Sequence, residues 1–211
     1  MKNKILIYLS LISLIIIFYL TLPDNQTKVV VCDVGQGDAI LATYKNIQLL
    51  IDVGPDNKKV LKCLENHMPF WDKTIEVVIL THGDSDHVGG LNDLIRSYKI
   101  KKFFSNGLLE KEIEQKIYSQ NLSQNDIISV GLFQFEVMSP GINLENMTDN
   151  ENSVAGILTV KEGPRQQLRS FGGQSWSMFM SGDMDKETEQ RLVWRGVFRQ
   201  VHGTLENGVD V

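Results

Sequence analysis

Residues 81–90 read Thr-His-Gly-Asp-Ser-Asp-His-Val-Gly-Gly, so His82, Asp84, Asp86 and His87 fall within six positions, directly after the apolar run Val77-Val78-Ile79-Leu80. Imidazole and carboxylate at this density are metal donors. His82 and Asp84 can face one divalent ion, Asp86 and His87 a second. A bridging carboxylate from elsewhere in the chain would let the two ions share an activated water. The competing reading is a polar loop that holds two of the chain's four histidines. Gly89 and Gly90 fit the metal reading, because they let the backbone pass close to the site before the next helix starts.

These side chains need strands to carry them. Asp33 follows Val29–Cys32, Asp52 follows Leu49–Ile51, His82 follows Val77–Leu80 and Asp183 follows Ser177–Met180, so acids and histidines sit just past four strand ends. Loops at strand ends can expose polar groups that a sheet interior could not satisfy. Asp52 before Gly54-Pro55 is equally well read as an ordinary turn residue. Periodicity predicts strands over 28–32, 39–44, 47–51, 76–80, 101–104, 127–130, 133–138, 154–160 and 176–180. It predicts helices over 58–65, 91–98 and 185–195.

The 211 residues suit one domain with a sizeable core, and the net charge of −5 argues against a broadly basic, nucleic-acid-coating surface. Arg165, Arg169, Lys99, Lys101 and Lys102 could follow a phosphate backbone or simply be solvated. Cys32 and Cys63 have neither zinc-ribbon nor redox spacing, and each is expected as a buried thiol. His67 reads as a helix-end residue without a metal role. Ile5–Leu22 holds no charged residue over 18 positions, about 27 Å of helix and enough to span a bilayer core. We expect residues 1–22 to be an uncleaved membrane anchor, with a signal peptide as the alternative, 23–27 to be a tether, and 28–211 to be the domain. Lys2 and Lys4 before the apolar run place that domain on the extracytoplasmic side of the cell membrane.

Taken together, "VCDVGQGDAIL", "LLIDVGP", "VILTHGDSDHVGGL", "NENS" and "FMSGDMD" resemble the extracytoplasmic hydrolase domain of ComEC-type competence proteins, a branch of the metallo-β-lactamase-fold hydrolases. The resemblance implies an α/β fold, a four-layer αβ/βα sandwich with the metal site at one edge between its sheets, here behind one N-terminal transmembrane helix. It implies His82 and Asp84 at the first metal, Asp86 and His87 at the second, and Asp183 bridging both, with Asp86 also orienting the attacking water. Asp33, Gln36, Gly37 and Asp38 match the loop beside the site, and Asn150 and Ser153 match a segment that elsewhere supplies a metal histidine. These six positions and Asp52 are expected in substrate or outer-sphere contacts. The cofactors implied are two divalent ions, Zn²⁺ or Mn²⁺, with Mg²⁺ also compatible with a carboxylate-rich set.

The implied activity is phosphodiester or nuclease hydrolysis related to DNA uptake. An impaired fragment, or a metal-dependent hydrolase of a non-nucleic substrate, remains open. Two departures from the family pattern stand out. A single candidate span cannot form the family's many-helix channel, so a separate channel protein is an expected partner. The family motif also continues past "NGVDV" with a Leu-Lys-Val-x-His-His-Gly-Ser segment, so the 28–211 domain is expected to lack its C-terminal part and the second metal one ligand. His202 is the only nearby histidine that could replace it.

Overall fold

The computed structural model describes residues 2–20, 22–23, 25–105, 117–139, 153–161 and 176–180. The elements run α1 (Lys2–Leu20), β1 (Thr27–Val31), β2 (Ile40–Tyr44), β3 (Ile47–Ile51), α2 (Lys59–His67), β4 (Thr74–Ile79), α3 (Ser85–Val88), α4 (Leu91–Ser97), β5 (Lys99–Ser105), β6 (Ser119–Asn121), β7 (Ile127–Val130), β8 (Phe133–Ser139), β9 (Ala155–Val160) and β10 (Trp176–Met180). The expected helix over 185–195 lies outside the described residues, as do Arg165, Arg169 and His202.

Two sheets organise these strands. The first has the order β1-β2-β3-β4-β5-β6 and the second β10-β9-β8-β7. β1 to β3 are antiparallel hairpin neighbours, whereas β3, β4, β5 and β6 run parallel. Strands buried on both faces read as near-continuous apolar runs, and β3 shows it. Its Leu50 packs with Val60 and Leu64 of α2 and Leu91 and Leu94 of α4 in one core. Its Leu49 and Ile51 pack with Phe133, Phe135 and Val137 of β8 in a second core, between the sheets. The order is therefore helices, first sheet, second sheet. Among the described residues these are three layers of the expected sandwich.

One feature departs from expectation. Cys32, just past β1, and Cys63, on the buried face of α2, are joined in a disulfide instead of remaining separate thiols. Their spacing of 31 residues carries no pairing signal, and they meet because α2 packs back over the end of β1. The N-terminal apolar run forms the helix α1, whose consecutive Ile5, Leu6, Ile7 and Tyr8 are all exposed. Among the described residues, no helix is long and apolar enough to cross a membrane.

The fold matters to function through one edge. Parallel pairing of β3 with β4 sets Ile51 opposite Ile79, so both strands end on the same side. Asp52 N–H then donates to the Ile79 carbonyl at 2.9 Å, extending the ladder by one bond. Ligand sites in such sheets form where the carboxyl ends of parallel strands open into loops.

Candidate metal centre

Asp52 is the hub of that edge. It is 2% exposed and holds a left-handed backbone at φ 56°, a conformation that Asp tolerates better than most residues. Its Oδ1 accepts the Thr81 backbone N–H at 2.8 Å, and its Oδ2 accepts the Thr81 hydroxyl at 2.7 Å. The same Oδ2 lies 2.9 Å from His87 Nδ1. Thr81 Oγ1 in turn lies 2.9 Å from His82 Nδ1.

Counting protons fixes the tautomers. A carboxylate only accepts, so His87 donates from Nδ1–H and the one hydroxyl proton of Thr81 goes to Asp52. Thr81 Oγ1 is then an acceptor toward His82, which must donate from its own Nδ1–H. In both imidazoles Nε2 is then the nitrogen that does not carry the shared proton. A carboxylate behind a histidine is the usual support of a metal ligand, because it fixes ring orientation and raises basicity. Here one carboxylate serves two rings, directly for His87 and through Thr81 for His82. The rings stand 4.0 Å apart between centroids, tilted by 48°, and both histidines are buried.

The 82–87 segment runs into the short helix α3, with Asp84 at its N-cap. Asp84 makes no side-chain cap bond to the helix. Its Oδ2 lies instead 3.5 Å from His82 Nε2, with 46% of its side chain exposed. A divalent cation between His82 Nε2 and Asp84 Oδ2 would be coordinated by both, so this pair of donors fits a metal ion. Among the described residues, no three His, Cys, Asp or Glu side chains form a complete metal cluster. The expected bridge Asp183 lies outside the described residues, as does Asn150.

Asp86 sits in the first turn of α3, half-buried. The 33–38 loop is packed against it. Gly37, at φ 92°, lies so close that a Cβ there would overlap the Asp86 carbonyl oxygen. The edge is zipped further by Val53 N–H to the His87 carbonyl, Gly54 N–H to the Asp38 carbonyl and Gly90 N–H to the Gly54 carbonyl, each at 2.9 Å. Gly89 and Gly90 are required there, since a Cβ would lie 2.6 Å from Asp56 N and 2.5 Å from the Val53 carbonyl oxygen respectively.

Several expected residues sit at the rim rather than the centre. The Asp33 side chain is 93% exposed and 3.8 Å from Lys59 Nζ, an ion pair of little energetic weight at the surface. Gln36 and Asp38 are also exposed. Ser153 is fully buried, and the next residue ties it to the metal loop, with Val154 N–H donating to the Thr81 carbonyl at 2.7 Å. His67 is the exposed last residue of α2, away from the cluster. Thr81 was not singled out by the sequence reading, because a threonine ahead of a histidine signals nothing until Asp52 lies beside it.

Residues 32–116 match the family model of the metallo-beta-lactamase superfamily. The solved metallo-β-lactamase MIM-1 from Novosphingobium pentaromativorans shares the fold, with a TM-score of 0.55 at 12% identity, covering 85% of this chain and 69% of that one. Among curated proteins, the chain is similar to ComE operon protein 3 of Bacillus subtilis (strain 168), 26% identical over 203 residues that cover 81% of this chain and 24% of that protein. It is also similar to competence protein ComA of Neisseria gonorrhoeae, 25% identical over 171 residues covering 81% of this chain and 22% of that protein. The chain thus spans about a quarter of the length of these relatives.

Proposed function

We propose that this chain is a membrane-anchored, extracytoplasmic hydrolase that uses divalent metal ions, Zn²⁺ or Mn²⁺, to cleave phosphodiester bonds, with DNA as the substrate class. The observation that carries the reading is the single carboxylate, Asp52, that holds His87 Nδ1 directly and His82 Nδ1 through Thr81, with His82 Nε2 3.5 Å from Asp84 Oδ2. The similarity to competence proteins supports the substrate class. The exposed apolar surface of α1 supports anchorage. The Cys32–Cys63 disulfide supports the outward orientation, since such bonds persist in oxidising compartments.

In this reading His82, Asp84, Asp86 and His87, together with Asp183, would hold the ions. When bound, the ions supply Lewis acidity toward the phosphate and activate water at neutral pH. The chain's own groups do the rest. Asp52 and Thr81 fix the shared proton on Nδ1 of both imidazoles and so orient the rings, Asp86 orients the attacking water, Asp33, Gln36, Asp38 and Asn150 meet the substrate, and the buried Ser153 supports the loop from behind. Steady-state hydrolysis of single-stranded DNA and of bis(p-nitrophenyl) phosphate with added Mn²⁺ or Zn²⁺ tests this. Chelator and Asp86→Ala should each abolish turnover. A metal-loaded chain that hydrolyses carboxylic esters or thioesters but neither phosphodiester would leave a hydrolase of another substrate class.

A further inference from the structure

The turn between α2 and β4 exposes two consecutive aromatic side chains. Phe70 is 72% exposed and Trp71 44%. The backbone holds them there. Met68 before the turn and Asp72 after it are both buried, Asp72 N–H donates to the Pro69 carbonyl at 2.9 Å, and Asp72 Oδ1 accepts the Thr74 N–H at 3.1 Å. With both ends of the turn pinned, the aromatics between them have nowhere to fold inward.

Their location is informative. Phe70 and Met68 line a cleft together with Leu22 and Pro23, just past the end of α1, and with Lys28 of β1 and Lys45 of the β2–β3 turn. Only six residues, 21–26, separate Leu20 from Thr27, a reach of about 20–25 Å even when fully extended. The face that carries Phe70 is therefore the face from which the apolar helix leaves.

Aromatic rings with an apolar body concentrate at membrane–water interfaces, and lysines beside them meet anionic phospholipid head groups. We propose that this face docks on the outer leaflet of a phospholipid bilayer, with Phe70 and Trp71 entering the interface and Lys28 and Lys45 against lipid phosphates. The inference rests on α1 being the membrane anchor. It adds that the domain is held at a fixed face instead of swinging on its linker.

The test uses the full chain in vesicles of phosphatidylcholine and phosphatidylglycerol, with Trp176→Phe and Trp194→Phe leaving Trp71 as the only indole. Trp71 emission should shift to the blue and be quenched by phosphatidylcholine brominated near the head-group end of its acyl chains. Phe70→Ser should reduce that quenching without releasing the chain to alkaline extraction, and Lys28→Glu with Lys45→Glu should reduce it only when phosphatidylglycerol is present. For the unaltered chain, chymotrypsin should cut after Phe70 more slowly in vesicles than in detergent, a readout independent of the tryptophan variants. Unquenched Trp71 in a chain whose α1 stays protease-protected overturns docking and leaves the anchor standing. Shielding from aqueous iodide without bromolipid quenching assigns the face to a protein contact and equally overturns it. Release of the chain by alkaline extraction overturns the anchor, and the docking with it.

Discussion

At the scale of single residues, Asp52 makes the strongest claim. Asp52→Asn keeps the shape but puts an amide where Oδ2 accepts from Thr81 and His87. An amide nitrogen cannot accept, so His87 loses the partner that fixes its tautomer. Affinity for Mn²⁺ or Zn²⁺ should fall roughly 10- to 100-fold, measured by calorimetric titration, and stability by about 1–3 kcal/mol. Nitrogen NMR of the two imidazoles should show the Nδ1–H tautomer in the unaltered chain, and its loss from His87 in the variant. A second residue, Asp72, reports on pH. Burial, more than any other influence, raises its carboxyl above the ordinary value of 3.8; the Thr74 N–H bond opposes this and the charge of Glu76 adds to it. The native state thus binds more protons than the unfolded state between 3.8 and the raised folded value. Stability should fall as pH rises through that window and stay lower above it. Asp72→Asn, which retains the Oδ1 acceptor for Thr74, should flatten this slope in urea unfolding followed from acid to neutral pH; an unchanged slope would exclude Asp72 as its source.

At the scale of elements, the disulfide between the end of β1 and α2 closes a loop beneath residues 33–38. For a loop of this length the chain-entropy model gives roughly 3–4 kcal/mol. Cys63→Ser should lower unfolding stability by that order in denaturant titrations, and a reductant should do the same to the unaltered chain but not to the variant. Equal stability of oxidised and reduced chains would contradict the bond's structural role. The sequence made most elements legible but not this link. β3 and β7 were legible residue for residue, because their apolar runs and bounding turns are local signals. α3 is four residues long and β6 is the polar triplet Ser-Gln-Asn, too short and too polar for periodicity to register. The disulfide depends on how α2 packs over β1, which no spacing encodes.

At the scale of the whole molecule, the clustering of the 82–87 side chains was legible and the wiring behind them was not. His82, Asp84, Asp86 and His87 are neighbours in sequence, so one loop brings them together whatever the fold. Asp52 read equally as a turn residue and as an outer-sphere contact, because its partners are set only when parallel register places Ile51 beside Ile79, 28 residues apart in the chain. Two buried imidazoles oriented by one carboxylate, at the shared edge of parallel strands, is the arrangement on which the proposed hydrolase stands. The most direct test is the metal content of the full chain after equilibration with Mn²⁺ or Zn²⁺ and removal of free ion, compared with that of His82→Ala, His87→Ala and His67→Ala. The account predicts bound metal in the unaltered chain, its loss in both loop variants and full retention in His67→Ala. Retention by His87→Ala, or equal loss from His67→Ala, would contradict it.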